Sequence, residues 1–270
     1  MGKGRILFVN QEITPFTPET PNAHFGRHLP AYMQEHGREI RVFMPRFKSI
    51  NERKNQLHEV IRLSGMNLIV NNCDHQLIIK VGSIPAARMQ IYFIDNDDFF
   101  SRKAVLRDAE GVAFEDNDQR AIFFARGVLE TVKKQRWQPD IVHCQSWFTA
   151  ALPLYLRNAF ADDPLFAGAK IVFSIYDDTF SGIWGETFRQ TMVGEGVAAE
   201  KIDSYGELTY ENLMRLVIDN ADGIIVEAES LPAEVEEYLA KSGKKVLRPT
   251  GDIAEVERHT QYKEFYDSIL

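Results

Sequence analysis

Three segments hold residues whose types can do chemistry. His143-Cys-Gln-Ser-Trp-Phe148 places an imidazole and an indole just past an apolar run. The imidazole can serve as a base or a sugar ligand, and the indole can stack on a sugar ring. Tyr176-Asp-Asp-Thr-Phe-Ser-Gly-Ile-Trp184 sets two adjacent carboxylates among aromatic rings. Such a set can hold carbohydrate hydroxyls or a cation. On an extended backbone Asp177 and Asp178 point apart, so they make a poor acid/base pair. Each feature also has a plain structural reading: a hydrogen-bonded packing histidine, a buried tryptophan at a helix start, a solvated acidic turn. The third segment, Asn10 to Asn22, carries three prolines and no glycine. A phosphate cradle needs glycines so that backbone N–H groups can approach the anion, and proline has no N–H to offer. Dinucleotide or phosphate binding of the usual kind is therefore disfavoured there.

These segments need strands and helices to position them. Ile6-Leu-Phe-Val9, Ile40-Arg-Val-Phe-Met44, Pro139-Asp-Ile-Val-His143, Ile171-Val-Phe-Ser-Ile175 and Ile224-Ile-Val226 are short apolar runs, the pattern of buried parallel strands. Helical spacing appears over residues 21–36, 117–135, 147–158, 207–219, 232–241 and 252–269, with a loop from Tyr176 to about Lys201. Asp116-Asn-Asp118 offers cap candidates for the long helix over 117–135, and Lys133 and Lys134 suit its carboxyl end. Closely spaced strand-like runs near residues 65–95 predict hairpins. The fold class expected is α/β, a Rossmann-like, doubly wound, mostly parallel sheet with an antiparallel excursion near 65–95. One domain over 1–270 is expected, its terminal helix packing back on it. Ligands of such sheets bind beyond the carboxyl ends of the strands, here the loops after Val9, Met44, Val142 and Ile175.

Composition narrows the function. A formal net charge of −8 argues against a nucleic-acid surface or an anionic membrane surface. Lys244–Lys245 reads as a solvated helix end. Cys73 and Cys144, the two cysteines, show no metal-ligand spacing and read as small apolar residues. Asp95-Asn-Asp-Asp98 lacks the glycine and terminal Glu of a calcium loop and reads as a capped turn. No secretory run opens the chain and no apolar run approaches the ~20 residues that span a bilayer, so a cytoplasmic protein is expected, with no cofactor and no metal.

Several segments together resemble the N-terminal domain of bacterial glycogen and plant starch synthases, the retaining glucosyltransferases of family 5 and two-domain GT-B type. They are Ile6-Leu-Phe-Val-Asn-Gln-Glu-Ile-Thr-Pro-Phe16, Leu29-Pro30, Gly37-Arg-Glu-Ile-Arg-Val-Phe-Met-Pro-Arg46 and Ile94-Asp-Asn-Asp-Asp-Phe-Phe-Ser-Arg102. Asp116-Asn-Asp-Gln-Arg-Ala-Ile-Phe-Phe124, Pro139-Asp-Ile-Val-His-Cys-Gln-Ser-Trp147 and Asn220-Ala-Asp-Gly-Ile-Ile-Val226 complete the set. The chain looks most like the short, single-domain synthase-like proteins of Bacteroides-type bacteria. The family's Lys-X-Gly-Gly-Leu motif, which holds nucleotide-sugar phosphates, falls on Pro18, Glu19, Thr20, Pro21 and Asn22. His143 and Trp147 match the family's His-X-His-Asp-Trp-His, while Gln145, Ser146 and Phe148 depart from it. A later family histidine falls on Tyr176.

The resemblance implies a glucan-binding surface more than a complete enzyme. Residues 227–270 are too few for the second GT-B domain, which needs on the order of 100 residues. The expectation is a synthase-like domain that is catalytically silent alone and binds α-glucan or maltooligosaccharide, or regulates glycogen metabolism. His143, Trp147, Tyr176, Asp177 and Trp184 are the candidate contacts, and Pro18, Thr20 and Pro21 mark the degenerate nucleotide-sugar loop. One alternative is an ADP-glucose α-1,4-glucosyltransferase half completed by a partner chain that supplies the second domain. Another is a non-enzymatic interaction scaffold.

Overall fold

The computed structural model describes residues 4–249 and 254–270. Ten strands run in chain order: β1 (Arg5–Asn10), β2 (Glu39–Pro45), β3 (His58–Glu59), β4 (Met66–Val70), β5 (Cys73–Ile84), β6 (Met89–Asp95), β7 (Ile141–Gln145), β8 (Lys170–Ile175), β9 (Gly223–Val226) and β10 (Lys245–Leu247). The helices are α1 (Pro21–Glu35), α2 (Asp97–Phe100), α3 (Asn117–Gln135), α4 (Ala151–Arg157), α5 (Glu186–Gly194), α6 (Glu200–Asp203), α7 (Tyr210–Asn220), α8 (Ala233–Lys241) and α9 (Glu255–Ile269).

The sheet order is β10-β9-β8-β7-β1-β2-β6-β5-β3, with β4 paired to β5. From β10 across to β6 every pairing is parallel. The central strands are buried on both faces, which is why they are almost wholly apolar. The chain leaves β1 toward β2 and returns on its other side at β7, so β1 and β7 form the switch point beside which such sheets bind ligands. The antiparallel excursion is present: β4 pairs β5 and β5 pairs β6. Yet β6 also pairs in parallel with β2, so it belongs to the main sheet as much as to the hairpin.

Several local expectations change. The stretch after Ile175 folds α5 and α6 where a loop is expected. The 147–158 segment is a 3-10 turn at Trp147–Thr149 followed by α4. Lys244 and Lys245 do not end a helix in solvent. Lys244 donates to the carbonyls of Asp219 and Ala221, closing the end of α7, and Lys245 opens β10. Asp116 stands at the N-cap of α3 without a side-chain cap bond, because both its oxygens accept from Arg102 at 2.6 Å. Asn96, by contrast, does cap α2. Cys144 is buried while Cys73 is exposed. Residues 252 and 253 of the expected terminal helix lie outside the described residues. No helix among the described residues is long and apolar enough to cross a membrane.

Helix α9 is the element that closes the molecule. Its Tyr262, Phe265, Tyr266 and Ile269 are buried. It lies beside α1, where Tyr32 meets Thr260 at 2.9 Å, and Arg38, in the connection after α1, pairs with Asp267. It reaches the sheet over Gly223, where an added Cβ would stand 2.5 Å from Ile269 Cδ1 and 2.9 Å from the Phe265 ring. The glycine is thus a gap shaped for the helix. Gly223→Ala should destabilise the protein by about 1–3 kcal/mol in urea unfolding. Ile269→Ala in the same chain should cost less than the two single changes added together. Strict additivity would show that α9 does not rest on this strand.

Candidate functional site

A cleft of about 820 Å³ opens beyond the carboxyl ends of β1, β8 and β9. The loop after β1 gives Gln11 and Glu12, and the first turns of α1 give Thr20, Pro21, Asn22 and Phe25. The loop after β8 gives Tyr176, Asp177 and Asp178; the loop after β9 gives Glu227 and Glu229. Arg258 of α9, with Arg248, forms the far wall. The helix sits tightly against the β1 loop because Gly26 of α1 has no side chain. A Cβ there would stand 2.5 Å from the Glu12 carbonyl oxygen.

Hydrogen bonds fix these walls. Thr20 caps α1 by accepting from the Ala23 amide at 3.0 Å, and its hydroxyl donates to Glu12 Oε2 at 2.8 Å. Pro21 follows at the first helical position, where its missing N–H costs nothing. Asp177 accepts from the Glu229 amide at 3.0 Å and so ties the β8 and β9 loops together. Ser146 donates to Gln11 Oε1 at 2.9 Å and is also bonded to Asp178. Its backbone, at φ 69° and ψ 161°, occupies a region that is close to glycine-only. That strain at the end of β7 is held by the polar contacts around it.

Burial pushes the Asp178 carboxyl up to about 7. Burial also raises Glu227, against the pull of Tyr262 and Arg258, which both bond its carboxylate. Both amide atoms of Asn22, and the hydroxyl of Tyr176, are buried with no hydrogen-bond partner among the described residues. Such groups are costly to leave unpaired, by about 1–3 kcal/mol each, and both line the cleft.

The residues singled out from the sequence divide into four places. Tyr176, Asp177, Thr20 and Pro21 line the cleft, while Pro18 is exposed outside it. Trp147 and Trp184 are 3% and 5% exposed and pack with Phe180, their ring centroids 6.2 Å apart. They border a separate pocket of about 210 Å³. His143 lies beneath both, fully buried on β7, with Nε2 2.7 Å from Ser174 Oγ and Nδ1 2.6 Å from the Tyr266 hydroxyl. Sequence reading marked the loop that carries Glu12 and Asn22 without assigning either a role, and it missed Phe25, Glu227, Glu229, Arg248 and Arg258. For Glu227 and Glu229 the polar stretch after Val226, one more carboxyl end of a parallel strand, was the available signal.

A doubly wound sheet with its cleft at the carboxyl edge beside a switch point is an architecture that GT-B glycosyltransferase domains share with other α/β proteins. The family model for the starch synthase catalytic domain matches residues 5–247, and the chain belongs to this family. It is 33% identical over 196 residues to a glycogen synthase of Chlorobium limicola, covering 72% of this chain and 40% of that one. It is 31% identical over 232 residues to a glycogen synthase of Pelodictyon phaeoclathratiforme, covering 86% and 47%. The chain thus spans about half the length of the curated relatives it matches, or less. The fold matches the catalytic domain of starch synthase IV from Arabidopsis thaliana, solved bound to ADP and acarbose. The TM-score is 0.72 at 15% identity, over 92% of this chain and 51% of that one.

Burial without a charged partner pushes His143 down to about 3, so it is neutral when folded. Its unfolded form protonates near 6.5. Between those values the unfolded chain binds more protons, so this residue removes stability as pH falls from 6.5 toward 3. The slope it adds is at most about 1.4 kcal/mol per pH unit. His143→Gln should lower stability at pH 7 and flatten the fall between pH 6.5 and 4, read by urea unfolding at each pH. An unchanged slope would place a protonated imidazole in the core and contradict the burial.

Proposed function

We propose that this chain is a glycogen/starch synthase-like domain that binds α-glucan in the cleft and is catalytically silent by itself. The observation that carries the reading is the chemistry of the cleft wall. Five carboxylic residues, Glu12, Asp177, Asp178, Glu227 and Glu229, face two arginines. Arg258 is committed to Glu227, and Arg248 to both oxygens of Glu236 at 2.6 and 2.7 Å. A diphosphate leaving group needs free cations or an array of backbone N–H donors. The β1–α1 loop provides neither, since Pro21 stands at the helix start and Thr20 already caps the Ala23 amide. Neutral sugar hydroxyls suit the same wall. Carboxylates accept from them, the Asn22 amide and the Tyr176 hydroxyl bond them in either sense, and Phe25 offers an apolar ring.

The second reading, an ADP-glucose-dependent glucosyltransferase half completed by a partner chain, is favoured by the match to a catalytic domain over about half of each relative's length. The single-domain kinship with Bacteroides-type proteins and a cytoplasmic location belong to the first reading.

Calorimetric titration with maltoheptaose and, separately, with ADP-glucose separates the two. Maltoheptaose should bind and ADP-glucose should not. Tyr176→Phe removes a hydroxyl that no group among the described residues bonds, so it should leave the melting temperature unchanged or raised. The same change should weaken maltoheptaose about five-fold, the equivalent of ~1 kcal/mol. Saturable ADP-glucose binding, or turnover once another chain is added, would put the enzyme reading first. Absence of glucan binding would end the glucan reading.

A further inference from the structure

We propose that His24, His28 and Glu255 form a binding site for a divalent transition-metal ion that staples α9 to α1. His24 and His28 are one helical turn apart on α1, so their rings share a face and stack with centroids 4.1 Å apart. Glu255 opens α9 directly opposite. Its Oε1 is 3.1 Å from His24 Nε2 and 3.3 Å from His28 Nδ1. Ligand atoms of all three residues lie within 4.8 Å of one another, and no other such group of three occurs among the described residues. In a tetrahedral zinc site with ligands at ~2.0–2.1 Å, neighbouring ligand atoms are about 3.3 Å apart. The two imidazole-to-carboxylate distances already match that edge.

A second observation comes from behind the carboxylate. His259, one turn along α9, is 4% exposed, and its Nε2 has no hydrogen-bond partner among the described residues. That nitrogen stands 3.8 Å from the same Glu255 oxygen. Three imidazole nitrogens from two helices therefore converge on one carboxylate oxygen. His259 is the nearest protein candidate for a fourth corner, which otherwise falls to water. Glu19 lies 3.6 Å from His24 Nδ1, the nitrogen turned away from the site, where an outer carboxylate orients a metal-bound imidazole. As an ion pair alone the arrangement is poor, because two imidazolium rings stacked at 4.1 Å repel each other. Imidazole-rich ligands select zinc, copper or nickel over magnesium or calcium. The sequence expectation of no metal overlooked this pair because it considered cysteines and acidic runs, not two histidines a turn apart on a helix.

On α1 the ligand His24 lies two residues beyond Asn22, and on α9 the ligand Glu255 lies three residues before Arg258; Asn22 and Arg258 line opposite walls of the cleft. An ion held there fixes the distance between those walls. Binding to the folded chain alone stabilises it by ~2.7 kcal/mol at a hundred times the dissociation constant.

The test uses the full chain without a histidine tag, stripped with EDTA and titrated with zinc chloride by calorimetry. Cobalt(II) is added in parallel and followed by its visible absorption. One zinc per chain, a raised melting temperature and the strong visible bands of tetrahedral cobalt are expected. His28→Ala should abolish saturable binding, and Glu255→Gln should weaken it at least about ten-fold. His58→Ala, at an exposed histidine elsewhere, should change nothing. If His28→Ala fails to fold, His24→Gln and Glu255→Gln carry the test, since both side chains are partly exposed. No saturable zinc binding, or binding that survives loss of His24 and His28, would overturn the proposal.

Discussion

The architecture depends on one neutral imidazole buried between the sheet and the last helix. His143 of β7 bonds Ser174 of β8 on one side and Tyr266 of α9 on the other. A ring nitrogen in that place must be paired, since an orphaned buried polar group costs more than the bond contributes. The helix therefore completes a polar pair in the core as well as covering apolar surface. Phe8 on β1 packs against the same ring, so three adjacent strands and a helix meet at one residue. Docking α9 also brings Arg258 to Glu227, which sets one wall of the cleft. The geometry of the surface site follows from a contact two layers below it.

The central sheet and its longest helix were legible in the sequence because their signals are local. Buried parallel strands are nearly pure apolar runs, and α3 carries three- and four-residue spacing from end to end. What escaped is held by contacts distant in sequence. Arg120 reads as one more polar residue on an amphipathic helix, yet it is fully buried. Its guanidinium donates to the Phe99 and Val105 carbonyls and to Asn117 Oδ1 at 2.7–2.8 Å. Four phenylalanine rings surround it. That single side chain organises the irregular 99–116 stretch, and no periodicity announces it. Strand β10 is only Lys245-Val-Leu247, exposed at its first two residues, so only its pairing with β9 defines it.

The candidate site was half legible for the same reason. Tyr176 and Asp177 follow a strand that the apolar run marks, and Thr20 and Pro21 carry a helix-start signature. Glu227 and Arg258 are individually unremarkable, and each acquires meaning only when α9 lies against β9. The tryptophans mislead in the opposite direction. An indole just past a strand suggests a sugar platform, but Trp147, Phe180 and Trp184 cover one another's faces. What distinguishes a platform from a plug is the third dimension, which adjacent residues do not specify.

On the glucan-binding proposal, charge decides what the cleft can hold. The family's loop holds phosphates with a lysine and glycines, and here that segment offers proline, glutamate, a capped threonine and an asparagine amide. With Pro18 in the place of the lysine, nothing in that segment offsets the carboxylates of the cleft wall, which a diphosphate feels far more than a neutral sugar does. Desolvation sharpens the effect. Raised carboxyl groups at Asp178 and Glu227 show how costly negative charge already is on this wall. A dianionic ligand would have to add to that cost, whereas hydroxyl donors would relieve it by bonding the carboxylates and the unpaired Asn22 amide. On the glucan-binding proposal, the same sheet and the same cleft would select a different ligand through a handful of side chains on one loop and one returning helix.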